Sequence, residues 1–487
     1  MAERLGGAVT GPGGTGPFGG RAVLVAGAGI SGLAAVDALV AGGALVTVSD
    51  DDPTKLAALP DGVGGCASDE IPAGTEVIVT SPGRRPDHAL VAAAAARGIE
   101  VIGEPELAWR LGAEGDRPPV WLVVTGTNGK TTTTEMLAAI LRSAGEDAVA
   151  CGNIGYPVVS AVAAGHAVLA VELSSFQLHW SPSVRPAAGV VLNVAEDHLD
   201  WHGGMDGYAA AKARALLGDV AVAGVDDPVA ARLLEAAPAP RRIGVTLAEP
   251  GPDQLGVRDG MLVDRAFGGG ELLGAAAVVP AGPPGVTDAL AAAALARAHG
   301  VPAPAIRDAL AGFTPGPHRS APVGRVAGVT FVDDSKATNP HAADAALAAV
   351  PARVPGARAV WIVGGLLKGV SADTLGELAR RHHAHLAGVV VIGTDRAPIV
   401  DALARHAPDL PVGEVTTGDH EGMQQTPQDP MPEAVRRAAE LAGPGDVVLL
   451  APAAASMDQF RDYAHRGDAF AAAVHDLSAP AASGARP

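Results

Sequence analysis

Aromatic residues, cysteines and long apolar runs are all scarce in this chain of 487 residues. Aromatics make up 3% of the sequence while hydrophobic residues make up 48%, which predicts aliphatic cores rich in alanine and in helix. The only cysteines, Cys66 and Cys151, exclude a disulfide framework and suit a reducing compartment. No apolar stretch is long enough to span a membrane, and the start lacks the order of a signal peptide. We therefore expect a cytoplasmic protein without a membrane partner.

Positive charge is also in short supply. The chain has 35 basic and 53 acidic residues, a formal net charge of −18. This balance argues against a general polyanion binder, so no nucleic-acid partner is expected, although a local basic site for phosphates remains compatible with it. The length predicts about three domains, each large enough for its own core.

A glycine loop that begins at Gly126 follows a short apolar strand. The apolar run 120–124 leads into Gly126-Thr127-Asn128-Gly129-Lys130-Thr131, and a helical pattern follows. Backbone amides of such a loop can surround phosphate oxygens, Lys130 can neutralise their charge, and the Thr131 hydroxyl can ligate Mg²⁺. The loop is shorter than the common phosphate-loop pattern, and an ordinary strand-to-helix turn is the alternative. The coincidence of strand, Gly-Lys-Thr and helix predicts a nucleoside triphosphate site.

A second glycine-rich turn, 27–32, follows the predicted strand 22–26, and Asp50 and Asp51 end the next strand about twenty positions later. This is the pattern of a dinucleotide-binding βαβ unit and by itself indicates NAD or FAD. A glycine turn at a helix start serves any pyrophosphate, however, so a uridine diphosphate group matches equally well. The strand 77–80, ending in Ser81-Pro82-Gly83, should lie beside the same crevice.

Acidic and histidine residues follow two further strands. The run 168–171 leads into Glu172, and the run 188–192 leads towards Asp197 and His198. Because carboxyl ends of parallel strands share one rim, we expect these side chains to face the phosphates held by Lys130. Oxygen ligands suit Mg²⁺, whereas a histidine indicates a second metal position; a lone histidine also has a plain surface interpretation. Lys212, in an alanine-rich helix, resembles a solvated helix lysine.

Strands alternate with alanine-rich helices in the last third as well, and the stretches 114–119 and 313–317 have the composition of linkers. We predict an α/β fold of three domains: a Rossmann-like N-terminal domain, a central parallel-sheet domain of the P-loop ATPase type, and a Rossmann-like C-terminal domain. The predicted limits are a flexible extension 1–20, domains 21–115, 116–316 and 317–478, and a flexible tail 479–487. The polar stretch 418–432 is predicted to be a mobile loop.

Eight motifs occur in an order that resembles the Mur ligases of peptidoglycan synthesis, from about Arg21 to Phe470: GAGISG, VTGTNGKTTT, GNIG at 152–155, ELSSFQL, LNVAEDHLD, PHR at 317–319, DDSKATN and SMDQF. ELSSFQL and DDSKATN favour the D-glutamate-adding branch over those adding alanine, a diamino acid or a dipeptide. The resemblance implies an ADP-forming ligase that joins D-glutamate to UDP-N-acetylmuramoyl-L-alanine through an acyl phosphate. It implies ATP as a substrate, two Mg²⁺ ions, no NAD or FAD, and a cytoplasmic monomer.

The resemblance also assigns roles to individual residues, with domains 21–115 for UDP, 116–316 for ATP and 317–478 for the amino acid. Catalytic and metal-binding roles are implied for Lys130, Thr131, Glu172, His198 and Lys212, the last as a carbamate. ATP contacts are implied for Gly126, Thr127, Asn128, Gly129, Lys130, Thr131, Thr132, Arg319 and Asp334. Contacts to the UDP substrate are implied for Ile30, Ser31, Asp50, Asp51, Ser81, Gly83, Asn153, Ser174 and His198. The D-glutamate pocket is implied to contain Thr338, Lys368, Ser456, Met457 and Tyr463.

Two departures from the family pattern stand out. Tyr463 replaces a frequent phenylalanine, and Pro284, Gly285 and Asp288 replace a His-Asn pair and a later Asn near the expected adenine contact. Three other functions remain possible from the sequence: an L-alanine-adding Mur ligase, a dinucleotide-dependent oxidoreductase, and a nucleotide-sensing protein without turnover. The oxidoreductase would leave Lys130, Glu172 and His198 unexplained.

Overall fold

The structure is a computed structural model that describes residues 16–354, 356–415 and 429–478. The described residues form two compact units, one within residues 1–272 and 288–310 and the other within residues 273–287 and 311–487. The described residues contain three sheets, and strands alternate with helices through most of the chain. Within this described part, no helix is long and apolar enough to cross a membrane.

The first sheet has the strand order β3-β2-β1-β4-β5, and all its neighbouring strands are parallel. Its strands are β1 (Ala22–Ala26), β2 (Leu45–Ser49), β3 (Gly64–Cys66), β4 (Val77–Thr80) and β5 (Glu100–Gly103). Its helices are α1 (Ile30–Ala41), α2 (Pro53–Ala57), α3 (Ala89–Ala96) and α4 (Glu104–Ala113). The strand order reverses between β1 and β4, which opens a crevice at their carboxyl ends, the usual ligand position in such sheets.

The second sheet has nine strands in the order β14-β13-β12-β11-β10-β9-β6-β8-β7. Its strands are β6 (Val120–Thr125), β7 (Ala148–Gly152), β8 (Val168–Glu172), β9 (Ala188–Val191), β10 (Val220–Gly224), β11 (Arg241–Val245), β12 (Gln254–Arg258), β13 (Met261–Asp264) and β14 (Gly270–Gly274). The following helices are α5 (Lys130–Ser143), α6 (Val158–Ala163), α7 (Ser175–His179), α8 (Leu199–His202), α9 (Met205–Ala213), α10 (Pro228–Ala236), α11 (Pro283–His299) and α12 (Ala303–Ala311). Strand β6 lies between β9 and β8 and is almost wholly buried, as expected of a Val-rich parallel strand covered on both faces.

The third sheet has the order β15-β16-β20-β17-β18-β19, with one antiparallel pair, β15 with β16, at its edge. Its strands are β15 (Ala321–Val326), β16 (Val329–Asp333), β17 (Ala359–Gly364), β18 (Leu386–Ile392), β19 (Val412–Glu414) and β20 (Val447–Leu450). Its helices are α13 (Pro340–Arg353), α14 (Ala372–Arg381), α15 (Ala397–His406), α16 (Met431–Leu441) and α17 (Tyr463–Ser478). Short 3-10 helices occur at Arg214–Leu216, Ala275–Ala277 and His383–His385.

Helix α4 joins the first sheet to the second within the first unit. The buried carboxylate of Glu104 accepts a hydrogen bond from the backbone N–H of Val159 at 2.6 Å, at the start of α6. Glu106 accepts one from the N–H of Ser183 at 3.0 Å. Burial raises the pKa of Glu104 from its ordinary 4.5 to about 7. The junction between these two sheets is therefore polar as well as apolar.

The prediction of an α/β fold with parallel-sheet domains is confirmed, whereas the domain limits stay predictions. Residues 16–20 belong to the predicted flexible extension, yet they form a turn whose Phe18 is 2% exposed and packs in the core of the first unit. Burial of that ring explains why the turn is held in place. The rest of the extension, the tail 479–487, and residues 418–428 of the predicted mobile loop lie outside the described residues.

Candidate active site

The phosphate loop joins the carboxyl end of β6 to the start of α5. Thr125 anchors the end of the strand, because its hydroxyl donates to the carbonyl of Leu173 at 2.7 Å. Gly129 is the N-cap residue of α5 and has a φ of +83°, a left-handed conformation that strongly favours glycine. Lys130 is therefore the first residue of α5. At this end of the helix, the free backbone amides and the helix dipole favour a bound phosphate.

Asn193, just beyond β9, holds the loop from the neighbouring strand. Its side-chain oxygen accepts from the backbone N–H of Asn128 at 2.9 Å, and its amide nitrogen donates to the carbonyl of Asn128 at 3.2 Å. The hydroxyl of Thr127 in turn accepts from the N–H of Ala195 at 2.9 Å. Sequence reasoning missed Asn193, although it lies inside the LNVAEDHLD motif, because only the tertiary fold brings it beside the loop.

Two lysines converge on one carbonyl of the phosphate loop. Lys130 Nζ donates to the carbonyls of Gly126 at 3.0 Å and Thr127 at 2.8 Å. Lys212 Nζ donates to the same Gly126 carbonyl at 2.7 Å. The interpretation of Lys212 as a solvated helix lysine is wrong, because the residue is only 1% exposed. Burial, together with the charge of Lys130, lowers the pKa of Lys212 well below its ordinary value.

Glu172 ends β8 beside these lysines and is 1% exposed. Its Oε1 accepts from Asn153 Nδ2 at 2.8 Å, while its Oε2 is buried without a hydrogen-bond partner among the described residues. A buried carboxylate oxygen left in this state is suited to a cation. The described residues contain no cluster of three or more His, Cys, Asp and Glu side chains placed to hold a metal. The predicted metal set differs from such a cluster, since it combines Glu172 and His198 with Thr131 and Lys212.

His198 lies immediately before α8, as the N-cap residue of that helix. It has a positive φ of 53°, and its Nε2 lies 3.4 Å from Asp197 Oδ2. Its ring packs against Phe176, with centroids 4.7 Å apart, and Phe176 also contacts Trp201 and His202. The contact with Phe176 therefore restricts the positions that the ring of His198 can take.

The crevice of the first sheet contains the residues predicted to bind UDP. A cavity of about 670 Å³ is lined by Asp50, Asp51, Ser81 and Arg84, and an adjoining one of about 220 Å³ by Ile30, Ser31 and other residues. The Asp50 carboxylate accepts from the backbone N–H of Ala28 at 2.8 Å and of Asp52 at 2.9 Å, which lowers its pKa.

Besides His198, three residues predicted for this substrate lie outside the linings of the two cavities. The carbonyl of Gly83 accepts from Trp201 Nε1 at 3.1 Å. Asn153 contacts Glu172, and Ser174 caps α7 by accepting from the N–H of Gln177 at 3.2 Å. Gly83 and Asn153 are exposed, so both remain accessible to a ligand.

In the second unit, loops after β16, β17 and β20 form one rim, because β20 lies between the other two strands. The backbone of Ala337 accepts from the N–H of Ala453, and Leu366 exchanges two backbone hydrogen bonds with Ala455. These contacts bring together the loops that carry Thr338, Lys368, Ser456 and Met457. Lys368 and Met457 are exposed, whereas Ser456 is buried.

Arg319, Asp334 and Tyr463 lie around the first of these loops. Asp334 accepts from the backbone N–H of Ser320 at 3.0 Å, and burial raises its pKa to about 6. Arg319 is partly buried and directly follows His318, whose Nδ1 lies 2.7 Å from Asp333 Oδ2. The ring of Tyr463 lies under the ammonium of Lys336, 4.0 Å from its centroid.

Arg466 joins two of the rim loops, the one after β16 and the one after β20, through buried hydrogen bonds. Sequence reasoning missed this residue. It is fully buried, and its guanidinium donates to the hydroxyl of Ser335 at 3.0 Å, to the carbonyl of Ser335 at 2.9 Å and to the carbonyl of Ala454 at 3.1 Å. Burial lowers its pKa to about 10. Its planar fork is what allows three bonds in different directions.

Comparison with known proteins identifies the family of this chain. Three family models match: the Mur ligase MurD-like N-terminal domain at 21–103, the Mur ligase middle domain at 124–249, and the Mur ligase glutamate ligase domain at 318–454. A UDP-N-acetylmuramoylalanine--D-glutamate ligase from Mycolicibacterium vanbaalenii is 54% identical over 93% of this chain and 98% of that protein. One of the same name from Rhodococcus jostii is 51% identical over 94% and 96%. The chain belongs to the Mur ligase family.

Solved structures show that this Mur ligase shares its fold with other members. MurF from Acinetobacter baumannii matches with a TM-score of 0.60 and 19% identity, covering 94% of this chain and 91% of that one. The UDP-N-acetylmuramate-alanine ligase MurC from Thermotoga maritima matches with a TM-score of 0.57 and 17% identity, covering 94% and 99%. The predicted family and the predicted fold class are therefore both confirmed.

The departure at 284–288 has a structural explanation in this Mur ligase. A Cβ on Gly285 would lie 1.8 Å from the carbonyl oxygen of Pro280, so an asparagine could not occupy this backbone position. Asp288 is 7% exposed, and its Oδ1 accepts from the hydroxyl of Thr133 at 3.2 Å. Gly285 and Asp288 are thus both compatible with the residues packed around them.

Proposed function

We propose that this Mur ligase joins D-glutamate to UDP-N-acetylmuramoyl-L-alanine while ATP becomes ADP and phosphate. The observation that carries the proposal is the meeting of Lys130, Lys212 and Glu172 around the Gly126 loop, in a chain 54% identical to a relative with that activity in its name. The proposed setting is the cytoplasm, where a monomer makes a peptidoglycan precursor from three small molecules.

The reaction has two steps that need no bond to the enzyme. A carboxylate oxygen of the L-alanyl group bonds to the γ-phosphorus of ATP, and the bond to the ADP oxygen breaks. The amine nitrogen of D-glutamate then bonds to the acyl carbon of the resulting acyl phosphate, phosphate leaves, and the amine loses a proton. Lys130 and the backbone amides at the start of α5 stabilise the negative charge of the transferring phosphoryl group. This stabilisation is the main requirement of phosphoryl transfer.

Mg²⁺ fits the residues present. Two ions are proposed, one held by the Thr131 hydroxyl and Glu172 and the second by His198, with a carbamate on Lys212 supporting the metal site; the buried Oε2 of Glu172 is the observation that supports a cation here. When bound, Mg²⁺ supplies positive charge that offsets the charge of the phosphates. Lys212 would carry the carbamate because burial favours its neutral amine, the form that reacts with CO₂.

The substrates are assigned to the regions described above. The crevice of the first sheet, with Ile30, Ser31, Asp50, Asp51, Ser81 and Gly83, would take the uridine diphosphate, and Asn153, Ser174 and His198 the muramoyl part. The loop residues 126–132 would bind ATP, together with Arg319 and Asp334. The rim of the third sheet, with Thr338, Lys368, Ser456, Met457 and Tyr463, would take D-glutamate, whose side-chain carboxylate Lys368 can neutralise.

Phosphate release from ATP by the purified protein tests the proposal. UDP-N-acetylmuramoyl-L-alanine is supplied with D-glutamate, L-glutamate or L-alanine in separate reactions, and UDP-N-acetylmuramate with L-alanine serves as the matched control. We expect release only with the first substrate and D-glutamate. Release in the control reaction would identify an L-alanine-adding ligase instead, and hydride transfer to NAD without phosphate release would identify an oxidoreductase.

A variant of the phosphate loop tests the role of the loop itself. Lys130→Ala is expected to lower phosphate release at least about a hundredfold, because one charge-stabilising donor at such a centre has roughly this effect. The melting temperature should stay within a few degrees of the parent protein. Turnover close to the parent rate would contradict the assignment of Lys130.

A further inference from the structure

One acidic side chain of α11, Asp288, contacts the first turn of α5. Asp288 is 7% exposed, and its Oδ1 accepts a hydrogen bond at 3.2 Å from the hydroxyl of Thr133, which is fully buried in α5. The two residues are 155 positions apart in the chain. Thr133 lies in the first turn of α5, directly after the predicted ATP contacts 126–132.

The same carboxyl group packs on the turn of the loop. A Cβ built on Gly129 would lie 2.3 Å from Asp288 Oδ1, closer than real Cβ atoms approach any atom. Gly129 also has a φ of +83°. Glycine is required at this position both by the backbone conformation and by the neighbouring carboxyl group, so Gly129 and Asp288 form a matched pair.

The protonation state of the carboxyl group suits this position. Burial raises the pKa of Asp288 well above its ordinary value, which favours the neutral acid. A neutral acid accepts the hydrogen bond of Thr133 without placing a negative charge beside a loop that binds phosphates. An asparagine side chain has nearly the same shape and offers the same oxygen acceptor.

We propose that Asp288 is a positioning residue for the phosphate loop, acting through Thr133 and the Gly129 turn to fix the first turn of α5. It holds the part of the helix that carries Lys130 and Thr131, and its contribution comes from its acceptor oxygen and not from its charge. The inference rests on the proposed function in one respect, namely that this loop binds ATP. It deepens that proposal by giving Asp288, one of the altered residues, a role in nucleotide affinity.

Two substitutions of Asp288 and two in α5 test the inference. The variants are Asp288→Ala, Asp288→Asn, Thr133→Val and, as a matched control, Thr134→Val. Thr134 is equally buried, but its hydroxyl donates to the carbonyl of Lys130 within the helix and not to Asp288. For each protein, the Kd for ADP with Mg²⁺ is measured by calorimetry, and the KM for ATP and kcat are measured by phosphate release.

We expect Asp288→Ala and Thr133→Val to raise both the Kd for ADP and the KM for ATP about tenfold, as the loss of one buried hydrogen bond would. The KM for the UDP substrate should change less than about twofold. Asp288→Asn should restore parent-like affinity, and Thr134→Val should remain close to the parent. Since Thr133→Val keeps the carboxyl group, it preserves the test if Asp288→Ala does not fold.

Three results separate the possible failures. A parent protein that binds ADP but releases no phosphate with D-glutamate would contradict the proposed function and leave this inference standing. Parent-like affinity in both Asp288→Ala and Thr133→Val would overturn the inference. An Asp288→Asn variant as weak as Asp288→Ala would overturn it too, because it would show that the acidic group itself is needed.

Discussion

Replacing Lys212 by methionine should lower the turnover of the enzyme while leaving its folding stability nearly unchanged. Methionine fills nearly the same space as the buried lysine stem but has no amine. The carbonyl of Gly126, which accepts from Lys212 at 2.7 Å, keeps the hydrogen bond from Lys130 at 3.0 Å and so is not left unpaired. The lost bond costs about 0.5–1.5 kcal/mol, and removing a buried amine recovers a cost of similar size. We therefore expect the free energy of unfolding to change by no more than about 1 kcal/mol.

Activity should respond quite differently to this substitution. If Lys212 carries a carbamate that supports the metal site, its loss removes an electrostatic group from the reacting centre, worth roughly a hundredfold to a thousandfold in kcat. Lys212→Ala should lose about 2–5 kcal/mol of stability as well, because it opens a cavity in the core. Acetate occupying that cavity should partly restore its turnover.

The measurements are urea unfolding, phosphate release with and without acetate, and carbon-13 NMR after incubation with labelled bicarbonate. A carbamate signal should be present in the parent protein and absent from Lys212→Met. Asp206→Asn, an exposed substitution on the same helix, is the control and should match the parent in all three measurements. A fully active Lys212→Met protein would refute the reasoning, as would a loss of activity that merely follows a loss of folding.

Three further outcomes are expected. The folded-state pKa of about 7 for Glu104 exceeds the ordinary 4.5, so its stabilising effect is complete below pH 4.5 and is lost as the pH rises through 7, by about 3 kcal/mol in all. In Glu104→Gln, the free energy of unfolding measured in urea should therefore change less between pH 5 and 8 than in the parent protein. An equal change in both proteins would show that other groups cause the pH dependence. Arg466→Lys cannot reproduce the three-way fork on Ser335 and Ala454, so the KM for D-glutamate should rise severalfold with the KM for ATP unchanged. Equal changes in both values would indicate general unfolding. Glu172→Gln should raise the Mg²⁺ concentration needed for half-maximal phosphate release about tenfold, because an amide oxygen binds the cation more weakly than a carboxylate; an unaltered Mg²⁺ requirement would remove Glu172 from the metal site.

Short-range patterns were sufficient for the architecture. The apolar run before Gly126 is β6, and the run before Glu172 is β8. These predictions succeeded because strand and helix periodicity, glycine at turns and the parallel-sheet rule depend on neighbouring residues. The family followed from eight such motifs in a single order, and the comparisons confirm it.

Residues whose role depends on distant partners were missed or misinterpreted. Asn193 holds the loop from another strand, and Arg466 reaches Ser335 across 131 positions, yet neither has a local pattern that signals this. Asp288 stood out only as a departure from a family pattern, and its contact with Thr133 could not be anticipated. Long-range side-chain hydrogen bonds of this kind are set by how the elements pack and not by their own sequences.

The sequence by itself determined the secondary-structure elements, the family and the identity of the loop that is proposed to bind ATP. All of these follow from patterns of residues that are close together in the chain. Only the tertiary structure decided the environment of each charge. Lys212 illustrates the difference: between alanines on α9 it resembles any solvated lysine, but the packing of that helix against the Gly126 loop buries its amine beside Lys130. That burial shifts its pKa, because a charged amine is poorly solvated in a protein interior, and it turns an ordinary helix residue into a candidate for the reacting centre.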